Sequence, residues 1–214
     1  MPIAHHPDDA TLMSFAAGAL PEALSVVVTT HLMACAECRS KVREMEDIGA
    51  FLLGDMEPVA SQPVDTDALL TRAVVGLDGT FATSEAEPVT DPIQRLTGQP
   101  VDQIEWKRLG WGVWHYPISL NSTSGGDLRL LRVQKGQALP EHGHGGSELT
   151  LVLEGSYHDE IGTFAAGDIA DLDDTVEHRP IADGEYGCIC LVASERRARF
   201  TGVIGKLLQP IARL

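Results

Sequence analysis

Residues 136–155 read Gly136-Gln-Ala-Leu-Pro-Glu-His142-Gly-His144-Gly-Gly-Ser-Glu148-Leu-Thr-Leu-Val-Leu-Glu-Gly155. His142 and His144 stand two apart, so on a strand both side chains face the same way. Glu148 follows a Gly-Gly-Ser turn at the head of the apolar run Leu149 to Leu153, and its carboxylate can reach the same point. A fourth donor is expected from a neighbouring strand, and His178, after Gly167-Asp168 and the acidic run Asp171 to Asp174, is the natural candidate. Imidazoles with one carboxylate suit zinc, iron, manganese or nickel and often leave a coordination position open.

The same pattern extends on both sides. From about residue 100, short apolar runs (Leu128 to Val133, Leu149 to Leu153, Cys188 to Val192) alternate with glycine turns at Gly125-Gly126, Gly155, Gly167-Asp168 and Asp183-Gly184. Many short strands at this spacing predict a sandwich or barrel. Cys188 and Cys190 face one side of their strand and read as buried small side chains, because a disulfide between such neighbours is strained, with a redox role as the alternative.

The N-terminal part has a different period. Asp8 and Asp9 can cap a segment carrying Leu12, Phe15, Ala16, Ala19 and Leu20, closed by Pro21. Glu22 to about Ala34 forms a second helix, with Leu24, Val27, Val28 and Leu32 on one side. The third runs from about Ala36 to Leu53, carrying Val42, Met45, Ile48, Leu52 and Leu53, and ends at Gly54. A fourth is expected over about Asp65 to Leu77, after a connector containing Pro58 and Pro63. Residues 78–95 are polar, without period, and read as a linker. The expected architecture is α+β and multidomain: a helical part over 1–77, the linker, and a β-rich part over 96–214.

A second donor cluster lies in the helical part. His31, Cys35 and Cys38 follow at intervals of four and three, so a helical turn points all three to one side. Thiolates beside imidazole favour closed, tetrahedral zinc, which needs a fourth donor. His5 or His6, just before the first helix, can fold back to supply it. A thioredoxin-like Cys-x-x-Cys would need a strand before it, and the sequence there is helical.

Composition narrows the function classes. The 214 residues carry a net charge of −15, with a mean hydropathy of −0.02. Residues 1–77 hold 4 basic and 11 acidic side chains, residues 78–194 hold 7 and 19, and the last twenty reverse the sign. An acidic body repels nucleic acid and suits a basic protein partner. No apolar stretch is long enough to cross a bilayer, and the acidic N-terminus is unlike a signal peptide, so the cytoplasm is the expected compartment.

With an N-terminal histidine before it, His31-x3-Cys35-x2-Cys38 on small acidic helices resembles the zinc-binding domain of bacterial anti-sigma factors, over about residues 1–85. That resemblance implies zinc ligands at His6, His31, Cys35 and Cys38, and an extracytoplasmic-function sigma factor as partner. The run from Gly136 to Gly155 is similar to the first motif of the cupins. It implies a β-barrel with a metal, zinc or another divalent transition ion, on His142, His144, Glu148 and His178. The second cupin motif departs from the pattern, with Ala165-Ala166-Gly167 where Pro-x-Gly is usual. In this order the two domains resemble the ChrR-type anti-sigma factors. The resemblance implies a non-enzymatic, cytoplasmic regulator that releases its sigma factor after oxidative damage by singlet oxygen or organic peroxides, with room for a homodimer through the barrels. The rival reading is a metal-dependent cupin dioxygenase or isomerase with a helical oligomerisation module, since three histidines and a glutamate leave open positions on an octahedral ion.

Overall fold

The computed structural model describes residues 2–57, 91–120, 126–143, 145–196 and 199–200. The helix expected over 65–77, the Pro58/Pro63 connector, most of the linker, His144 and the basic tail lie outside the described residues.

Three helices open the chain: α1 (Asp9–Ala16), α2 (Glu22–Ala34) and α3 (Ala36–Gly54). Asp8 caps α1, its carboxylate accepting from the Thr11 N–H. Cys35 is the single extended residue between α2 and α3, and its sulfur accepts from the Cys38 N–H as the cap of α3. A further helix, α4 (Pro92–Thr97), begins inside the stretch expected as linker. Its signals are local: Asp91 caps it, Pro92 sits in the first turn, and Gly98 ends it at φ 75°.

Eleven strands follow among the described residues, all paired antiparallel. β1 (Lys107–Gly110), β2 (Val113–Pro117), β3 (Asp127–Val133), β10 (Cys188–Ser194), β5 (Glu148–His158) and β6 (Thr163–Ala165) are neighbours in that order. β7 (Ile169–Leu172) and β9 (Ile181–Ala182) also pair with β5. A second sheet runs β11 (Arg199–Phe200), β4 (His142–Gly143), β8 (Glu177–His178).

The central strands are buried on both faces, which is why Leu149 to Leu153 is apolar except for Thr150 rather than alternating. The outer face presents Leu128, Leu130, Leu149, Leu151 and Leu191, and these share one core with Ala23, Leu24, Val27 and Val28 of α2. Each large apolar side chain so buried contributes up to about 1.5–3 kcal/mol. The helices therefore do not depend on a core of their own. The inner face presents Leu131, Val133, Cys188, Cys190 and Val192 to an internal cavity.

Gly155, expected in a turn, lies inside β5 at φ 74°. Opposite Ile189 and Cys190 the register shifts, so that Cys190 pairs with Val152 while Ile189 pairs with Glu154. This bulge reverses the alternation along β5. Before it Glu148 and Thr150 point inward; after it Tyr157 does. A Cβ at Gly155 would lie 1.9 Å from the Gly187 carbonyl oxygen, a backbone atom that cannot step aside. Gly155→Ala is expected to destabilise the chain by roughly 3 kcal/mol or more, through both the contact and the positive φ. A thermal midpoint within 2 °C of the parent (about 1 kcal/mol or less) would contradict this account of Gly155.

Candidate metal centres and the barrel cavity

The register of β4 on β8 sets His142 directly opposite His178. Their ring centroids are 4.7 Å apart. Glu148 opens β5, and donor atoms of His142, Glu148 and His178 all lie within 4.8 Å of one another with all three residues buried. Each ring is held through Nδ1: that of His142 lies 3.0 Å from the Pro140 carbonyl, and that of His178 lies 2.8 Å from Asp159 Oδ2. Such outer partners leave Nε2 as the nitrogen presented to an ion and fix the ring's orientation. Asp159 is itself held by the Ile161 and Gly162 N–H groups. Burial works to raise its pKa, but His178 and these two donors outweigh burial and keep the carboxyl below its ordinary value.

The second group gathers His6, His31, Cys35 and Cys38, again with donor atoms within 4.8 Å of one another. His6 Nδ1 is 3.4 Å from Cys35 Sγ and 3.3 Å from Cys38 Sγ, and His31 Nε2 is 3.3 Å from Cys38 Sγ. A tetrahedron with metal–sulfur bonds of 2.3 Å and metal–nitrogen bonds of 2.0–2.1 Å has nitrogen–sulfur edges of about 3.6 Å. The donors stand close to that size. Burial, with the Cys35 sulfur adjacent, pushes the Cys38 thiol up to about 12. Only a cation among the donors would make its thiolate the stable form, so the group fits a divalent metal and would release protons on taking one. His5 goes elsewhere: its Nε2 lies 3.1 Å from the Thr163 carbonyl and its ring is 4.4 Å from that of Phe164.

The sheet domain supplies the surroundings of this helical cluster. His31 Nδ1 is 3.0 Å from the Gly167 carbonyl, and burial holds the imidazole below its ordinary pKa against that carbonyl's pull. Asp168 accepts from the Ala4 N–H at 2.7 Å, the His5 N–H at 3.1 Å and the Ala165 N–H at 2.9 Å. The Ile169 N–H donates to the His5 carbonyl. One turn, between β6 and β7, thus clamps the segment that carries His6. Asp168→Ala is expected to free that segment and to speed loss of a loaded divalent metal from His6, His31, Cys35 and Cys38 to a chelator at least tenfold, leaving metal retention by His142, Glu148 and His178 unchanged. Equal release rates would remove the clamp's significance.

Asp159, Gly167 and Asp168 escaped the sequence reading as site residues, because their roles depend on partners 19 to 164 positions away. Cys188 and Cys190 are buried and free and line the cavity. Cys190, hydrogen-bonded to Cys188 and deeply buried, is pushed well above its ordinary thiol pKa. His115 is half-buried, and His158 pairs at the surface with Asp183.

The chain as a whole is similar to one set of known proteins. The anti-sigma-E factor ChrR of Cereibacter sphaeroides is 38% identical over 217 residues, covering 100% of both chains. The chain belongs to the ChrR family of anti-sigma factors. Residues 95–197 match the ChrR Cupin-like domain. The crystal structure of Rhodobacter sphaeroides SigE in complex with the anti-sigma ChrR matches 90% of this ChrR-family chain and 100% of that one, at 38% identity and a TM-score of 0.72. The architecture of short N-terminal helices followed by a cupin-like sheet domain is the expected one. Family membership supports the regulator over the dioxygenase or isomerase reading, since the relative is an anti-sigma factor. No helix among the described residues is long and apolar enough to cross a membrane.

Proposed function

We propose that this chain is a cytoplasmic anti-sigma factor that binds and inhibits an extracytoplasmic-function sigma factor through its helical part. The supporting observation is the far end of α3. Val42 is buried and Met45 half-buried, but beyond them Ile48, Phe51, Leu52, Leu53 and Met56 are all more than half exposed. An apolar surface of this kind on an acidic body suits a protein partner. The relative solved with SigE names the partner class.

In this reading residues 1–77 bind the partner and residues 96–214 sense, joined by 78–95. Zinc on His6, His31, Cys35 and Cys38 sets the angle between α2 and α3. A second divalent ion, zinc or another transition metal, is held by His142, Glu148 and His178, with His144 as a further ligand. When bound it supplies an electrophilic centre facing the cavity. The trigger is oxidative damage, by singlet oxygen or organic peroxides. Residues 159–168 give a continuous route between the two centres. Asp159 holds His178 at one end, while Gly167 and Asp168 hold His31 and the His6 segment at the other. Reversing a strongly populated bound state requires about 5 kcal/mol of bias. That magnitude points to covalent change or metal loss as the trigger rather than a weak contact.

The test is co-purification of the full-length, zinc-loaded chain with each extracytoplasmic-function sigma factor of its own genome, with the mass of the complex reporting both stoichiometry and any barrel homodimer. A stable one-to-one complex that blocks the sigma factor from core polymerase is expected. Failure against every such sigma factor would defeat the proposal.

A further inference from the structure

The cavity inside the sheet has a volume of about 310 Å³. At about 30 Å³ each it has room for on the order of ten non-hydrogen atoms. Most of its wall is apolar: Val113, Leu131, Val133, Leu139, Ala182 and Val192 all contribute. Two buried polar groups in the same wall have no hydrogen-bond partner among the described residues, the Arg129 Nη1 and the Tyr157 hydroxyl. Arg129 is 8% exposed and Tyr157 is 3% exposed.

Neither orphan arises by accident of the surface. Arg129 lies on the inward row of β3, paired across β10 with Val192, which is itself paired with Thr150 of β5. Tyr157 reaches the cavity because of the β5 bulge. Leaving a buried donor unsatisfied is costly, and more so for a charged group. Arginine cannot escape the cost by losing its proton. Its Nε is bonded to Asp127, which also borders the cavity, but the Asp127 side chain is 36% exposed while that of Arg129 is 10% exposed. Water therefore screens the anion of this pair more than the cation, and the cavity meets a guanidinium edge. His115, opposite Leu131 on β2, supplies no negative charge to counter it; burial first, then the charges of Arg129 and Lys107, hold its imidazole below its ordinary pKa. Glu148, of opposite sign, is a member of the metal-holding group.

We propose that this cavity is a receptor site for a small apolar carboxylate, whose acid group meets Arg129 Nη1 and whose hydrocarbon body fills the apolar wall. The Tyr157 hydroxyl offers a second donor to an oxygen of the same ligand. Charge-assisted hydrogen bonds to a carboxylate are roughly twice as strong as neutral ones, so acid is distinguished from alcohol by this one residue. The site goes beyond sigma-factor binding and is tested without a sigma factor present.

The experiment titrates octanoate into the full-length, zinc-loaded chain by calorimetry, with 1-octanol and octylamine as controls. Octanoate is expected to bind at least tenfold more tightly than 1-octanol, and octylamine more weakly than either. Arg129→Gln should lower octanoate affinity at least tenfold and leave 1-octanol within twofold; Arg129→Lys should retain part of the preference for the acid. This pattern separates Arg129 from carboxylate capture by the metal alone, which would survive Arg129→Gln. No binding of octanoate, equal binding of acid and alcohol, or an acid preference that survives Arg129→Gln would each overturn the assignment. Should Arg129→Gln fail to fold, the parent stripped of its barrel metal by a chelator decides: an acid preference lost with the metal would overturn the assignment.

Discussion

Cys38→Ser is expected to take the chain from two bound metal ions to one and to weaken its sigma-factor complex by at least 100-fold. Cys38 is fully buried, and its sulfur is the donor that both His6 Nδ1 and His31 Nε2 approach to 3.3 Å. Serine offers a harder, less acidic donor on a shorter bond, so the tetrahedron loses a thiolate and cannot close at the same size. Structural zinc in small domains contributes about 10–16 kcal/mol of apparent binding free energy. Even partial loss exceeds what the helix ends can replace. The N-terminal segment is then held only by its contacts to the sheet domain, at Asp168, Ile169, Thr163 and Asp171, and α3 loses its fixed angle at Cys35. The barrel keeps its own group of His142, Glu148 and His178 and should keep its metal. Metal analysis and calorimetry against the sigma factor read both effects. A zinc-free helical part that still binds as tightly as the parent would sink the idea that zinc organises the interface.

The second large effect is expected at the end of α3. Phe51→Asp combined with Leu52→Asp should leave metal content unchanged and the thermal midpoint within a few degrees, because Phe51 is 77% and Leu52 61% exposed. The same pair should cost the sigma-factor complex about 4 kcal/mol, since apolar anchors at the centre of an interface are worth about 2 kcal/mol or more each. That corresponds to roughly a thousandfold in affinity. Folding and binding are read on the same preparation. Unchanged affinity would move the contact surface off α3; a collapsed thermal midpoint would show the side chains to be part of the core.

The two predictions separate what zinc does from what the apolar face does, and the sequence bears on them unequally. The helical segments Glu22 to Ala34 and Ala36 to Leu53 are legible because apolar residues recur at helical spacing and Cys35 breaks the run. The grouping of His31 with Cys35 and Cys38, and of His142 with Glu148, is legible for the same local reason. The division of α3 into a buried start and an exposed end is not, because both halves carry the same periodicity. Only packing distinguishes Val42 from Leu53. Nor is α2's attachment to the sheet legible, since an amphipathic helix does not state which apolar surface covers it. Gly155 shows the limit most sharply. Read alone it is a turn residue, yet it lies inside β5, paired with Cys188 just past the bulge between Val152 and Glu154 that turns Tyr157 inward.

What the sequence determined by itself is the chemistry of the donors and the local geometry that brings neighbours together, because spacings of two, three and four are set by the strand and the helix. Tertiary structure decided which of two adjacent histidines joins the cysteines. It placed the Gly167–Asp168 turn around them, and it enclosed Arg129 and Tyr157 in one cavity. The physical reason is separation along the chain. His6 meets Cys38 across 32 residues and Ala4 meets Asp168 across 164, and only the closed fold pairs partners that far apart.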